Sequence, residues 1–131
     1  MAPISVTLAP RDPPAAVVAL VGEHDAYSAG RLEGELGVLI DEGMRIVVDL
    51  RDTEFIDSTT LATLLSARRG AEEAGLGFTF VLPKRNYTEV NQLLDLTGLG
   101  TKFAIFETLD QALAAARGGT TRGDSATAKV A

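Results

Sequence analysis

The stretch Ile46-Val47-Val48-Asp49-Leu50 has four apolar residues in five and lies between two segments of helix-spaced leucines. A strand apolar at nearly every position must be covered on both faces, which makes this one a central, parallel strand. On its N-terminal side, Leu32, Leu36, Leu39 and Ile40 follow the i, i+4, i+7, i+8 spacing of one helix face, with Ser28 read as the N-cap and Gly43 as the terminator. On its C-terminal side, Leu61, Leu64, Leu65, Ala71 and Ala74 outline a second amphipathic helix that ends at Gly75. A helix, a buried strand and another helix in this order dictate crossover connections packed on a sheet.

The flanking segments extend the same scheme. Ile4, Val6 and Leu8 alternate with polar residues, Pro10, Pro13 and Pro14 mark a turn, and Ala15 to Val21 is a short apolar run that the polar tetrad Gly22-Glu23-His24-Asp25 breaks. These two strands are expected to form a hairpin. Phe78 to Leu82 is a further strand, stopped by Pro83. Tyr87, Val90, Leu93 and Leu94 mark a third helix, closed by the turn Gly98-Leu99-Gly100. Phe103 to Phe106 is a last strand, and Thr108-Leu109-Asp110-Gln111 has the form of a capping box opening a final helix. The expected fold is α/β, in the order ββαβαβαβα: a mostly parallel sheet of about five strands with about four helices. Residues 1–117 are expected to form the domain. Residues 118–131 are small, polar and aperiodic, the composition of a disordered tail.

Composition narrows the function. The 131 residues, 46% of them hydrophobic, suit one core. A chain without cysteine and with one histidine offers no Cys/His metal site, and no cofactor is expected. Twelve basic against eighteen acidic residues give a net charge of −6, the wrong sign for binding nucleic acid through its phosphates. No stretch approaches the roughly 20 apolar residues of a spanning helix. The start Met1-Ala2-Pro3-Ile4 lacks the basic and apolar pattern of a secretory signal, so a cytoplasmic protein without membrane contact is expected.

The segment Phe55-Ile56-Asp57-Ser58-Thr59-Thr60-Leu61 places a hydroxyl where a central strand is expected to turn into a helix. From position alone, Asp57 or Ser58 is an N-cap. The same location would stabilise a phosphate on Ser58 through unpaired amides and the helix dipole, by about 1 kcal/mol. A hydrolase triad of His24, Asp25 and Ser58 is disfavoured, because loop neighbours point apart and the Gly-x-Ser-x-Gly elbow is missing. No catalytic residue is expected. The acidic residues Asp41, Glu42, Glu72 and Glu73 read as surface charge rather than metal ligands.

Gly22-Glu23-His24-Asp25 resembles the Gly-Glu-x-Asp loop of STAS-domain anti-sigma factor antagonists. Val47 to Leu65 resembles their strand, Asp-Ser-Ser/Thr-Gly-Leu turn and helix, and Leu93 to Leu99 resembles their Leu-x-x-x-Gly-Leu helix end. The likeness runs from about Ile4 to Arg117. It implies partner switching under stress signalling: the unphosphorylated antagonist binds a serine-kinase anti-sigma factor and frees the sigma factor, the kinase phosphorylates it with ATP, and a serine phosphatase resets it. By position, Ser58 is the implied phosphoacceptor and Asp57 its acidic neighbour. The implied partner-binding surface is the loop Gly22, Glu23, His24, Asp25 with the turn Asp57, Ser58, Thr59, Thr60, Leu61, Ala62. The sequence departs from the pattern at Thr60-Leu61-Ala62, where the family has Gly-Leu-Gly, and this bulk is expected to alter the fit of the kinase. That departure leaves an alternative, a STAS-type regulatory subunit of an ABC transporter ATPase with Ser58 an unphosphorylated contact. A receiver domain phosphorylated on aspartate is disfavoured, since the first strand lacks the acidic pair that would hold Mg²⁺.

Overall fold

The computed structural model describes residues 3–9, 11–82, 89–98 and 102–123. Its elements are β1 (Ile4–Ala9), β2 (Ala15–Leu20), β3 (Gly22–His24), α1 (Ala26–Asp41), β4 (Arg45–Asp49), β5 (Thr53–Ile56), α2 (Ser58–Glu73), β6 (Phe78–Val81), α3 (Glu89–Thr97), β7 (Ile105–Phe106) and α4 (Leu109–Arg117). The main sheet has the order β1-β2-β4-β6-β7. β1 and β2 form the antiparallel hairpin and every other neighbour pair is parallel, with β4 between β2 and β6. Counting these five strands and the four helices returns the expected order ββαβαβαβα.

The β4 run behaves as its composition requires. Ile46 and Val48 face a large core with Leu32, Leu36, Leu64, Phe78 and Phe80, while Val47 faces a smaller one with Val17, Val81, Ala112 and Ala116. The period of two thus divides a fully buried strand between two layers. The helices α1 and α2 cover one face, where they also pack on each other, and α4 covers the other. Gly77 lets these layers close, because a Cβ there would overlap the carbonyl oxygen of Ala116.

Three sequence expectations change. The tetrad Gly22 to Asp25 does not merely break β2; Gly22, at φ +83°, turns the chain so that Gly22–His24 becomes a strand of its own. It pairs in parallel with β5 in a separate two-stranded sheet. The cap of α1 is Asp25 rather than Ser28, since the carboxylate of Asp25 accepts from the Tyr27 amide and Ser28 is buried inside the first turn. Residues 118–123, expected in the tail, stay on the domain. The Thr120 carbonyl accepts from Phe78 N–H at 2.8 Å. Thr121 is buried, its carbonyl accepts from Arg68, and Glu72 bridges to the Thr121 hydroxyl and to Arg122. Residues 124–131 of the expected tail, Pro83 and the end of the Leu93 to Leu99 segment lie outside the described residues.

Candidate functional site

Helix α2 begins where β5 leaves the small two-stranded sheet, not at the end of a central strand as expected, because Thr53–Ile56 pairs with β3 instead of joining the main sheet. Asp57, in extended backbone conformation, accepts the Thr60 amide on Oδ1 at 2.9 Å, and its carbonyl accepts the Leu61 amide at 3.0 Å. That leaves Ser58 as the first helical residue, exposed to solvent. The Ser58 and Thr59 amides belong to the first turn, which has no intrahelical acceptors, so an anion on the Ser58 hydroxyl would meet unpaired donors and the positive end of the helix dipole.

The Gly22 to Asp25 loop is brought to this turn by backbone pairing. Glu23 lies opposite Phe55 and His24 opposite Ile56, and the Asp57 amide donates to the His24 carbonyl at 3.1 Å. The register shifts between Gly22 and Glu23, which leaves Glu54 without an opposite residue, an irregularity of the kind that re-aims side chains beside functional sites. Asp25 caps α1 as Asp57 caps α2. Two helix N-termini, each closed by a carboxylate, therefore border one small sheet.

The third segment arrives on α3, which packs on β5. Val90 and Leu94 enter the core there, while Leu96 is 79% exposed. Gly98 takes φ +74° and ends the helix.

These contacts sort the expected surface residues. Glu23, Asp25, Ser58, Thr59 and Ala62 are exposed, Gly22 and Asp57 are half-buried, and His24, Thr60 and Leu61 are buried. The β-branched bulk of Thr60, expected to meet a partner, lies in the interior, and its hydroxyl has no hydrogen-bond partner. Of the two departures from the family turn, Thr60 and Ala62, only Ala62 presents its change to solvent. Sequence reasoning missed Phe55, an exposed apolar side chain opposite Glu23 in the strand pairing. For Phe55 the signal existed, since strand alternation with a buried Ile56 points it outward.

His24 does not serve Ser58 as a base. Its Nε2–H donates to the Val21 carbonyl at 3.1 Å and its Nδ1 is 3.0 Å from the Ser28 hydroxyl. Burial pushes the imidazole below its ordinary value, against the carbonyls of Val21 and Pro3 and the Asp25 charge, which favour the proton. Among the described residues, no group of three or more His, Asp or Glu side chains could hold a metal ion. No helix among them is long and apolar enough to cross a membrane. The arrangement offers an exposed nucleophilic hydroxyl, anion-stabilising amides and acidic neighbours, with no built base of its own.

A family model described as the Mlab, STAS domain matches residues 8–109. The anti-sigma-F factor antagonist RsfB of Mycobacterium tuberculosis is 33% identical over 120 residues, 90% of this chain and 95% of that protein. The crystal structure of an anti-sigma factor antagonist from Mycobacterium paratuberculosis superposes with a TM-score of 0.71 at 30% identity, covering 88% of this chain and 95% of that one. SpoIIAA in its unphosphorylated form gives 0.65 at 18% identity over 88% of this chain and 99% of its own, a likeness of fold.

Proposed function

The chain belongs to the STAS domain family, and from that membership we propose that it is an anti-sigma factor antagonist, a binding protein rather than an enzyme, switched by phosphorylation of Ser58. Its partner in this reading is a serine-kinase anti-sigma factor in the cytoplasm, and a serine phosphatase restores the binding form. RsfB, which shares 33% identity with the chain, is named as such an antagonist. SpoIIAA, of the same fold, is known in both unphosphorylated and phosphorylated forms. The observation that carries the reading is the Ser58 hydroxyl, exposed on the first helical residue directly after the capping Asp57.

Phosphorylation would add about −1.5 to −2 charge at this point. The chain already carries −6, and Glu23, Asp25 and Asp57 border the turn. The phosphorylated form is repelled by an acidic partner surface and loses hydration against an apolar one, whereas the unmodified form offers Ser58, Thr59 and Ala62 near the exposed ring of Phe55. Incubation with a candidate anti-sigma kinase and ATP should add one phosphate by intact mass, and Ser58→Ala should abolish it. Label on another residue sinks the assignment. Ser58→Asp should bind the same kinase more weakly than wild type, and equal affinity would count against charge as the release step. The alternative, a transporter ATPase subunit, rests on the altered Thr60-Leu61-Ala62 turn, of which Thr60 lies in the interior and Ala62 stays on the contact surface.

A further inference from the structure

Behind the turn lies a titratable side chain that the switch reading leaves without a role. His24 is wholly buried, yet both of its ring nitrogens are engaged. Nε2 faces a carbonyl, which can only accept, so Nε2 carries the proton of the neutral ring, and Nδ1 competes with the Asp25 carbonyl for the single proton of the Ser28 hydroxyl. That hydroxyl is also 3.2 Å from the Asp25 carbonyl, which accepts the Ser28 and Ala29 amides as well. The ring thus ties β3 to the first turn of α1, and the His24 carbonyl holds the Asp57 amide at the start of α2.

We propose that His24 is a positioning residue for the Ser58 turn, holding the Glu23–Asp25 loop against Asp57, and that a second proton on its ring loosens that hold. The geometry supplies the route. When Nδ1 becomes a donor, the Ser28 hydroxyl must turn its own proton to the Asp25 carbonyl, competing there with the two amides that begin α1. Among the described residues, the charged groups acting on the ring are Asp25, which favours the second proton, and Arg31, which opposes it. The functional meaning rests on the reading of Ser58 as phosphoacceptor: acidification would then change how the turn is presented to the partner.

The test reads the turn without any kinase. Backbone amide shifts of Asp57 and Ser58, with the His24 ring signal, are followed by NMR between about pH 5 and 8 in wild type and His24→Gln. The expected result is that both amides move with the midpoint of the ring and that His24→Gln is flat over the same range. Stationary amides while the ring titrates, a ring that takes up no proton, or the same curve in His24→Gln would each overturn the proposal. Should His24→Gln fail to fold, Ser28→Ala replaces it: the ring midpoint is expected to shift and the Ser58 amide to follow, and an amide curve left at the wild-type midpoint overturns the coupling. A chain that shows the coupling but accepts no phosphate would refute the phosphoacceptor reading alone.

Discussion

The Asp57 amide and the His24 carbonyl, 3.1 Å apart, join the first residue before α2 to the last residue of β3. One hydrogen bond thereby couples two stretches of chain separated by α1 and β4, and it places the capping carboxylate of α2 beside the loop that caps α1.

Removing the cap should weaken this joint measurably. Asp57→Ala leaves the Thr60 amide without its acceptor and should cost about 1 kcal/mol in urea unfolding, while Asp57→Asn should cost only a few tenths. An equal loss in both variants would place the contribution in the charge rather than in the cap.

Thr60→Val tests the buried hydroxyl. Thr60 is fully buried and its Oγ1 lacks a partner, so exchanging it for a methyl of the same shape removes an unsatisfied polar atom. A gain of about 1 kcal/mol is expected by thermal or chemical unfolding. A loss would show that the hydroxyl is satisfied in solution.

Acid should destabilise the fold through His24. Burial lowers its pKa in the native chain, so the unfolded chain binds more protons and stability rises with pH. The contribution of the neutral ring is complete above its ordinary value of 6.5 and is lost as pH falls from there toward the lower native value. The thermal midpoint of wild type should therefore drop between about pH 7.5 and 5.5, and that of His24→Leu should drop less.

Residues 118–123 are expected to contribute to the fold. A chain ending at Arg117 loses the bond from Phe78 N–H to Thr120, the Arg68 contact with Thr121 and the bridge from Glu72 to Arg122. It should unfold about 2 kcal/mol more easily than a chain ending at Gly123. Equal midpoints would return the boundary to 117.

Much of this molecule is legible in the order of its residues because its strands and helices follow their own periods. Ile46 to Leu50 and the leucines on either side point to a central, parallel strand between covering helices through burial alone, whereas its neighbours β2 and β6 are visible only in the structure. The small sheet was illegible for the opposite reason: Gly22-Glu23-His24 is polar, and only its pairing partner thirty residues away makes it a strand. The same non-local pairing hides the burial of His24, which its letters present as a loop residue. The place of Ser58 at the start of α2 was legible because its cap and helix are local, whereas the burial of Thr60 was not, because the inward face of the first turn depends on how α2 packs.

Under the proposed reading of Ser58 as phosphoacceptor, the pairing of β3 with β5 carries a consequence for signalling. The surface around Ser58 is discontinuous: the hydroxyl and the acidic loop beside it belong to segments that meet only when the chain has closed on itself. A short peptide spanning the Asp57-Ser58 turn would hold the same acceptor atom without its setting. Whatever recognises this surface is therefore also inspecting the state of the chain, and a partially unfolded copy would be silent to it.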